Sequence, residues 1–317
     1  MQLTDQQLKH FDTTVLKIDP KKRDEYIAQV DHLIDRLRKK IEAETSFGVK
    51  KFTKTGSLIK GTCLKPRDGF AVDADIAVSL DVSEASKSDI DSLHAKIRKL
   101  LIAIYPQKED KDFTVQPRTL GIEFIDSGLL VDLVPIIPIA SKPGYAWQPS
   151  SQGQPPVMTN IQAQLDFLKA RREKDATYRI LVRILKRWRN YQELSQLSSF
   201  AIELILAHLL DTKGVPANIE EGISRFFLFI GQTELKQKVS FKENGKVEKF
   251  PSDAVVILDP VNSENNVTRR ITDAERVEIV TKAKTAFETI MTASYNGFKG
   301  ETVEFWKSIF GRSFVIE

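Results

Sequence analysis

Two runs of this sequence, VDADIAVSLDV beginning at Val72 and LLVDLVPII beginning at Leu129, place acids inside segments otherwise suited to burial. Apolar runs of this length, rich in β-branched residues, read as strands. A carboxylate held among such residues is costly unless a charge or hydrogen-bond donor meets it. Asp73 and Asp75 are separated by one residue, so on a strand both project from the same face. Taken alone, that spacing fits two solvent-facing acids on an edge strand as well as a cation site. Asp132 has apolar neighbours on both sides, and either a bound metal or a basic residue in a structural ion pair would meet its charge. Paired magnesium ions need hard oxygen ligands, and the metal reading expects Asp132 to converge with Asp73 and Asp75.

The rest of the chain supplies a frame for these strands. Asp19 followed by Pro20 signals a helix start. Val30, Leu33, Ile34, Leu37 and Ile41 then recur at helical spacing, predicting a long amphipathic helix over 20–43. A short strand over 49–53, the segment GSLIKGT, a loop, the Asp73/Asp75 strand, a helix over 88–104 and the strands GIEFID and LLVDLVPII follow. Residues 1–150 therefore read as a mixed α/β lobe with a small sheet. The stretch 139–160, rich in Pro, Gly, Ser and Gln, reads as an irregular crossing. Beyond it, 151–317 reads as a mainly helical lobe, with helices expected over 161–174, 176–193, 199–212, 219–239, 273–294 and 301–309. No fixed-period repeat is visible, which excludes solenoids and propellers.

At 317 residues the chain has room for two lobes. The opening MQLTDQQLKHFD lacks the basic start and apolar run of a secretory signal. The most apolar stretch, 200–210, contains Glu203 and His208 and falls short of the ~20 residues that span a bilayer. A single cysteine, Cys63, excludes an internal disulfide. A cytoplasmic protein that does not enter a membrane is the expectation. A net charge of +4 and a pI near 8.9 suit polyanions, with nucleotide, RNA and DNA all open as partners, and suit a solvated basic surface equally well.

Gly56 and Ser57 lie between a strand and a short helix, where glycine permits close backbone approach and free amides can meet phosphate oxygens. A bare Gly-Ser pair is usually a simple turn. In order, however, the chain shows Gly-Ser, a strand with Asp-x-Asp, and a later strand with one more Asp. This set resembles the polymerase β-like nucleotidyltransferase superfamily. The resemblance implies an α+β fold, in which a catalytic core with a small mixed sheet is completed by a mainly helical C-terminal lobe. It matches Asp73, Asp75 and Asp132 to the metal-binding catalytic acids, and Gly56 and Ser57 to the phosphate-contacting turn.

The segments RILKRWRNY, SSFAIELILAHLLD, ILDPVNSENNVTR and FWKSIFGRSF look like those of the bacterial cGAS/DncV-like nucleotidyltransferases, the CD-NTases of CBASS antiphage systems, most like clade C. That resemblance implies a nucleotidyltransferase that joins ATP, with other nucleoside triphosphates open as substrates, into an adenine-containing cyclic trinucleotide messenger. It further implies two Mg2+ ions with Mn2+ as a substitute, a HORMA-domain activator, DNA as a further candidate partner, and a nuclease effector reached through the product. Lys186 and Ser199 match the residues that hold the donor triphosphate. Read by itself, Lys186 beside Trp188 and Arg189 on an amphipathic helix is a solvated face. Glu203 is expected to pair structurally with a basic residue, and DPVNSENNV is expected to be a loop near the cleft. One departure is visible in KPRDGFAV, whose Gly-Phe-Ala-Val is less polar than in many relatives. Extension of an RNA end, or nucleotide transfer to a protein, would use the same three acids. A non-catalytic binding scaffold would be expected to have lost some of them.

Overall fold

A computed structural model describes residues 1–45, 47–66, 71–83, 90–150, 155–245, 247, 250 and 252–317. The Gly69-Phe70 pair of the KPRDGFAV loop and the expected helix start at Ser88 lie outside the described residues. The chain forms two compact units, Ile18–Leu165 and a second built from Met1–Lys17 with Asp166–Glu317.

The first unit contains helix α2 (Pro20–Glu44), strand β1 (Gly48–Thr55), short helix α3 (Gly56–Lys60), β2 (Val72–Asp81), α4 (Ile90–Ile104), β3 (Phe113–Val115), β4 (Leu120–Phe124), β5 (Leu129–Pro138), β6 (Ala146–Gln148) and β7 (Val157–Thr159). Asp19 caps α2 as its sequence signals, accepting from the amides of Lys21 and Lys22 at 2.9 and 3.3 Å. The predicted apolar face of α2, Val30, Leu33, Ile34, Leu37 and Ile41, is buried together with Leu93, Ile97, Leu100, Leu101 and Ile104 of α4. Both helices pack on one face of a sheet ordered β1-β2-β5-β4-β3. The β2–β5 pairing is parallel and the others along this path are antiparallel, giving a mixed sheet.

Three expectations need correction. The stretch 139–160 is not wholly irregular, since β6 pairs with the end of β5 and β7 pairs with β6. These pairings keep the described residues of that stretch with the sheet, so the division lies at Leu165/Asp166 and not at 150/151. The first seventeen residues belong instead to the helical unit, because α1 (Asp5–Phe11) and the π-helical segment Asp12–Leu16 are anchored there. Asp5 accepts from the Ile219 amide at 2.8 Å, Phe11 packs on Phe314, and Asp12 forms a buried two-bond ion pair with Arg183 at 2.6 Å.

That second unit also holds α5, whose helix Ile161–Lys174 crosses the boundary, then α6 (Tyr178–Tyr191), α7 (Ser199–Lys213) and α8 (Ile219–Thr233). Strands β8 (Leu258–Asp259) and β9 (Asn262–Asn266), then α9 (Asp273–Tyr295) and α10 (Lys299–Phe310), complete it. Helix α8 stops at Thr233, short of the expected 239, where Glu234 and Leu235 turn left-handed with φ of 51° and 55°. DPVNSENNV is not a loop but a hairpin in which β8 and β9 pair antiparallel. Among the described residues, no helix is long and apolar enough to cross a membrane.

Candidate active site

Strand register decides which side chains can meet. Parallel pairing sets Asp75 opposite Asp132, and antiparallel pairing sets Thr55 opposite Asp75. Further across the sheet, Gly121 lies opposite Asp132, and Thr114 lies opposite Gly121. Residues paired across strands share a face. Thr55, Asp75, Asp132, Gly121 and Thr114 therefore form one row over five strands, with Asp73 two positions from Asp75 on the same side. Val72, Ala74 and Ile76 of β2, with Val131 and Leu133 of β5, fill the opposite face and are buried in the core.

The electrostatics follow from this row. Burial first, then the charges of Asp75 and Asp73, push the Asp132 carboxyl from 3.8 up to about 6. Its Oδ1 is buried and accepts no hydrogen bond among the described residues. No cation pairs with Asp132 there, so the structural ion-pair reading finds no partner. Gly56, at φ 75°, opens α3 directly against this cluster: a Cβ there would overlap the Asp75 carboxylate. The turn is thus shaped around the acid, and only glycine tolerates both the left-handed backbone and the close approach. Ser57 follows in the first turn of α3.

The donor set fits hard divalent cations. It consists of carboxylates, two of which help burial raise the proton affinity of the third, and it includes a buried oxygen still lacking a donor. As they stand, no group of three or more His, Cys, Asp or Glu among the described residues comes together so that it could hold a metal ion. Like charges hold such oxygens apart, and a cation removes that repulsion.

Lys186 and Ser199 lie in the other unit. Lys186 on α6 is only 6% exposed beside the buried Trp188, which rules out the solvated-face reading. Ser199 begins α7 and accepts from Arg189 Nη1 at 3.0 Å, while its neighbour Ser198 caps the helix by accepting from the Ala201 amide at 3.1 Å. Arg189, absent from the sequence-derived candidates, also donates to Leu197 O and Asn190 Oδ1 and so ties α6 to the start of α7. Only its spacing of three from Lys186 could have signalled it. Glu203 is buried and its carbonyl accepts from the Tyr178 hydroxyl at 2.5 Å; burial, then the charge of Arg179, lowers the Arg172 pKa, and the Glu203 charge opposes that shift.

A mixed sheet with three acids on its open face, a glycine turn wrapped on one of them, and a helical second unit define a nucleotidyltransferase of the polymerase β-like type, an enzyme. No family model matches the chain. The CBASS oligonucleotide cyclase CdnC of Escherichia coli (strain KTE188) is 39% identical over 317 residues, all of this chain and 99% of that protein. The chain belongs to this family of CBASS oligonucleotide cyclases. The cyclic AMP-AMP-AMP synthase of Escherichia coli (strain MS 115-1) is 32% identical over 301 residues, 92% of each chain. The structure of E. coli MS115-1 CdnC with ATP matches with a TM-score of 0.83 at 30% identity, over 98% of this chain and 99% of that one. The same relative's complex with a HORMA protein matches with a TM-score of 0.80 at 29% identity, over 98% of each. As a member of the family the chain is a cyclic oligonucleotide synthase.

Proposed function

We propose that this enzyme converts ATP, alone or with a second nucleoside triphosphate, into an adenine-containing cyclic trinucleotide, using two Mg2+ ions held by Asp73, Asp75 and Asp132. The observation that carries the site is the Asp75–Asp132 register, which leaves Asp132 half-buried against two like charges and raised to about 6. Such a cluster favours cations and, when they bind, becomes fully ionised. The bound ions supply charge neutralisation for the triphosphate and activation of the attacking ribose hydroxyl. Asp132, beside that hydroxyl, orients it and is placed to accept its proton. Gly56 brings the α3 backbone within reach of phosphate oxygens, and Ser57 adds a hydroxyl contact. Lys186 supplies a point charge to the donor's terminal phosphates, with Ser199, held by Arg189, donating beside it.

The trinucleotide product is supported by the likeness to a cyclic AMP-AMP-AMP synthase. Activation by a HORMA-domain protein is supported by that relative's complex with one. DNA as a co-activator and a nuclease as the reader of the product complete the reading. The test is incubation with all four nucleoside triphosphates and Mg2+, with and without a HORMA protein, then phosphatase digestion and mass spectrometry. A phosphatase-resistant cyclic product that contains adenosine is expected. Linear, phosphatase-sensitive chains alone would overturn the proposal.

A further inference from the structure

The sheet row that carries Asp75 and Asp132 continues past them, and its far end has no role in the site described above. Gly121 stands between Asp132 and Thr114 in register. A Cβ built on Gly121 would overlap Thr114 Oγ1 and lie 3.0 Å from Asp132 Oδ1. Both oxygens therefore lean over the glycine, one from the β3 side and one from the β5 side. Gly121 has no left-handed backbone to explain the residue type, so the space above it is the physical requirement that glycine meets here. The acid oxygen that borders this space is the one that is buried without a hydrogen-bond donor. A carboxylate in that state gains more from a donor than an exposed one, because its desolvation is not otherwise compensated.

We propose that Thr114 is a positioning residue for Asp132, its hydroxyl turning across the Gly121 gap to donate to Oδ1, a bond not made in this structure, and so fixing the carboxylate's orientation once cations bind. Partners of this kind, one step behind a metal ligand, fix its orientation and raise the site's affinity. Thr114 is exposed on the edge strand β3, so its side chain is free of core packing duties and its hydroxyl can be removed without disturbing the fold. Gly121 acts by being small, keeping the path between the two oxygens open.

The inference rests on Asp132 serving as a metal ligand, and the experiment separates the two claims. Thr114→Val keeps the shape and removes the hydroxyl, while Thr114→Ser keeps the hydroxyl. Mn2+ binding is read from the free-ion paramagnetic resonance signal without nucleotide, and kcat and KM for ATP are measured with Mg2+. Thr114→Val is expected to weaken Mn2+ binding and lower kcat, each by roughly ten-fold, with KM for ATP and the melting temperature unchanged. Thr114→Ser is expected to restore most of both. Wild-type Mn2+ affinity in folded Thr114→Val, or equal impairment in the Val and Ser variants, would overturn the role of the hydroxyl. Asp132→Asn serves as the control. If it loses Mn2+ while Thr114→Val does not, only the Thr114 inference fails. If it binds Mn2+ like wild type, the metal site itself fails, and the inference with it.

Discussion

Replacing Asp132 by Asn tests the electrostatic argument through stability as well as activity. The folded protein holds this carboxyl at about 6 against 3.8 for an unperturbed one. Between those values the folded state carries more protons than the unfolded state, so this group makes stability fall as pH rises through the window and level off above about 6. The two-unit difference corresponds to about 3 kcal/mol of strain at pH 8 in the metal-free enzyme. Asp132→Asn removes the charge and most of that penalty. The variant should melt higher than wild type in chelator at pH 8, by roughly 5 °C if the chain unfolds as one and about twice that if residues 18–165 unfold alone. Near pH 4 the two should converge.

The pH profile of wild type alone would not isolate this effect. His94 is buried with neither ring nitrogen hydrogen-bonded among the described residues, and burial pushes its pKa down. Its contribution is lost as pH falls below about 6.5, opposite in sense to that of Asp132. The difference between wild type and variant cancels it. Added Mg2+ should then stabilise wild type strongly and Asp132→Asn little, while product formation in the variant is abolished. A variant that melts no higher than wild type in chelator at pH 8, or that gains equally from Mg2+, would refute the account of Asp132 as a carboxylate strained by its neighbours.

Other substitutions probe parts of the molecule independent of that argument. Gly56→Ala should cost about 1–2 kcal/mol for the left-handed backbone alone and, by displacing the Asp75 carboxylate, lower turnover further than Ser57→Ala; denaturant melts and initial rates distinguish the two effects. Lys186→Ala should weaken ATP affinity by roughly 1.5–3 kcal/mol in titration calorimetry with Mg2+, and Lys186→Arg should rescue it incompletely; unchanged affinity in a folded variant returns Lys186 to a packing role. Asp12→Ala leaves the buried Arg183 guanidinium without its carboxylate and should cost roughly 3–5 kcal/mol in urea unfolding, whereas a loss below about 1 kcal/mol would show the pair to be dispensable.

What could be read from the sequence was local. The α2 face, its Asp-Pro start and the helical second half follow from spacing and caps within a few residues. The capping box of α1, Thr4 with Gln7, is equally local, but only seven residues follow it, too few for a helical period to show. The hairpin at 258–266 was hidden for a different reason. Apart from Leu258, its buried strand positions are polar, Asp259, Asn262 and Asn266, and Asn266 accepts from the Ile257 amide at 3.0 Å and donates to Val255 O at 2.7 Å. Side-chain hydrogen bonds replace the apolar alternation that a strand normally shows. No glycine or proline directly follows α8 as warning, because Glu234 and Leu235 themselves adopt the left-handed turn.

The site was legible as a set of acids and illegible as a place, and the reason lies in strand parity. Nothing local sets Asp132 opposite Asp75, since 56 residues of helix, loop and strand intervene. What sets it is β5's strict alternation of buried and half-buried positions from Leu129 to Pro138. Slipping β5 by one residue against β2 would carry Val131, Leu133 and Ile137 out of the core and turn Asp132 into it. The lost burial of several large aliphatic side chains, about 1.5–3 kcal/mol each, adds to the cost of taking the Asp132 carboxylate into that core. A slip of two residues would keep the faces but separate Asp132 from Asp75 by a further pleat. With β4 held in place, it would also move Asp132 away from Gly121, where a Cβ would overlap Thr114 Oγ1 and lie 3.0 Å from Asp132 Oδ1. The apolar alternation thus selects the face, and the small residue on β4 helps select the position along it. Between them they hold a carboxylate cluster whose own repulsion would otherwise favour its dispersal.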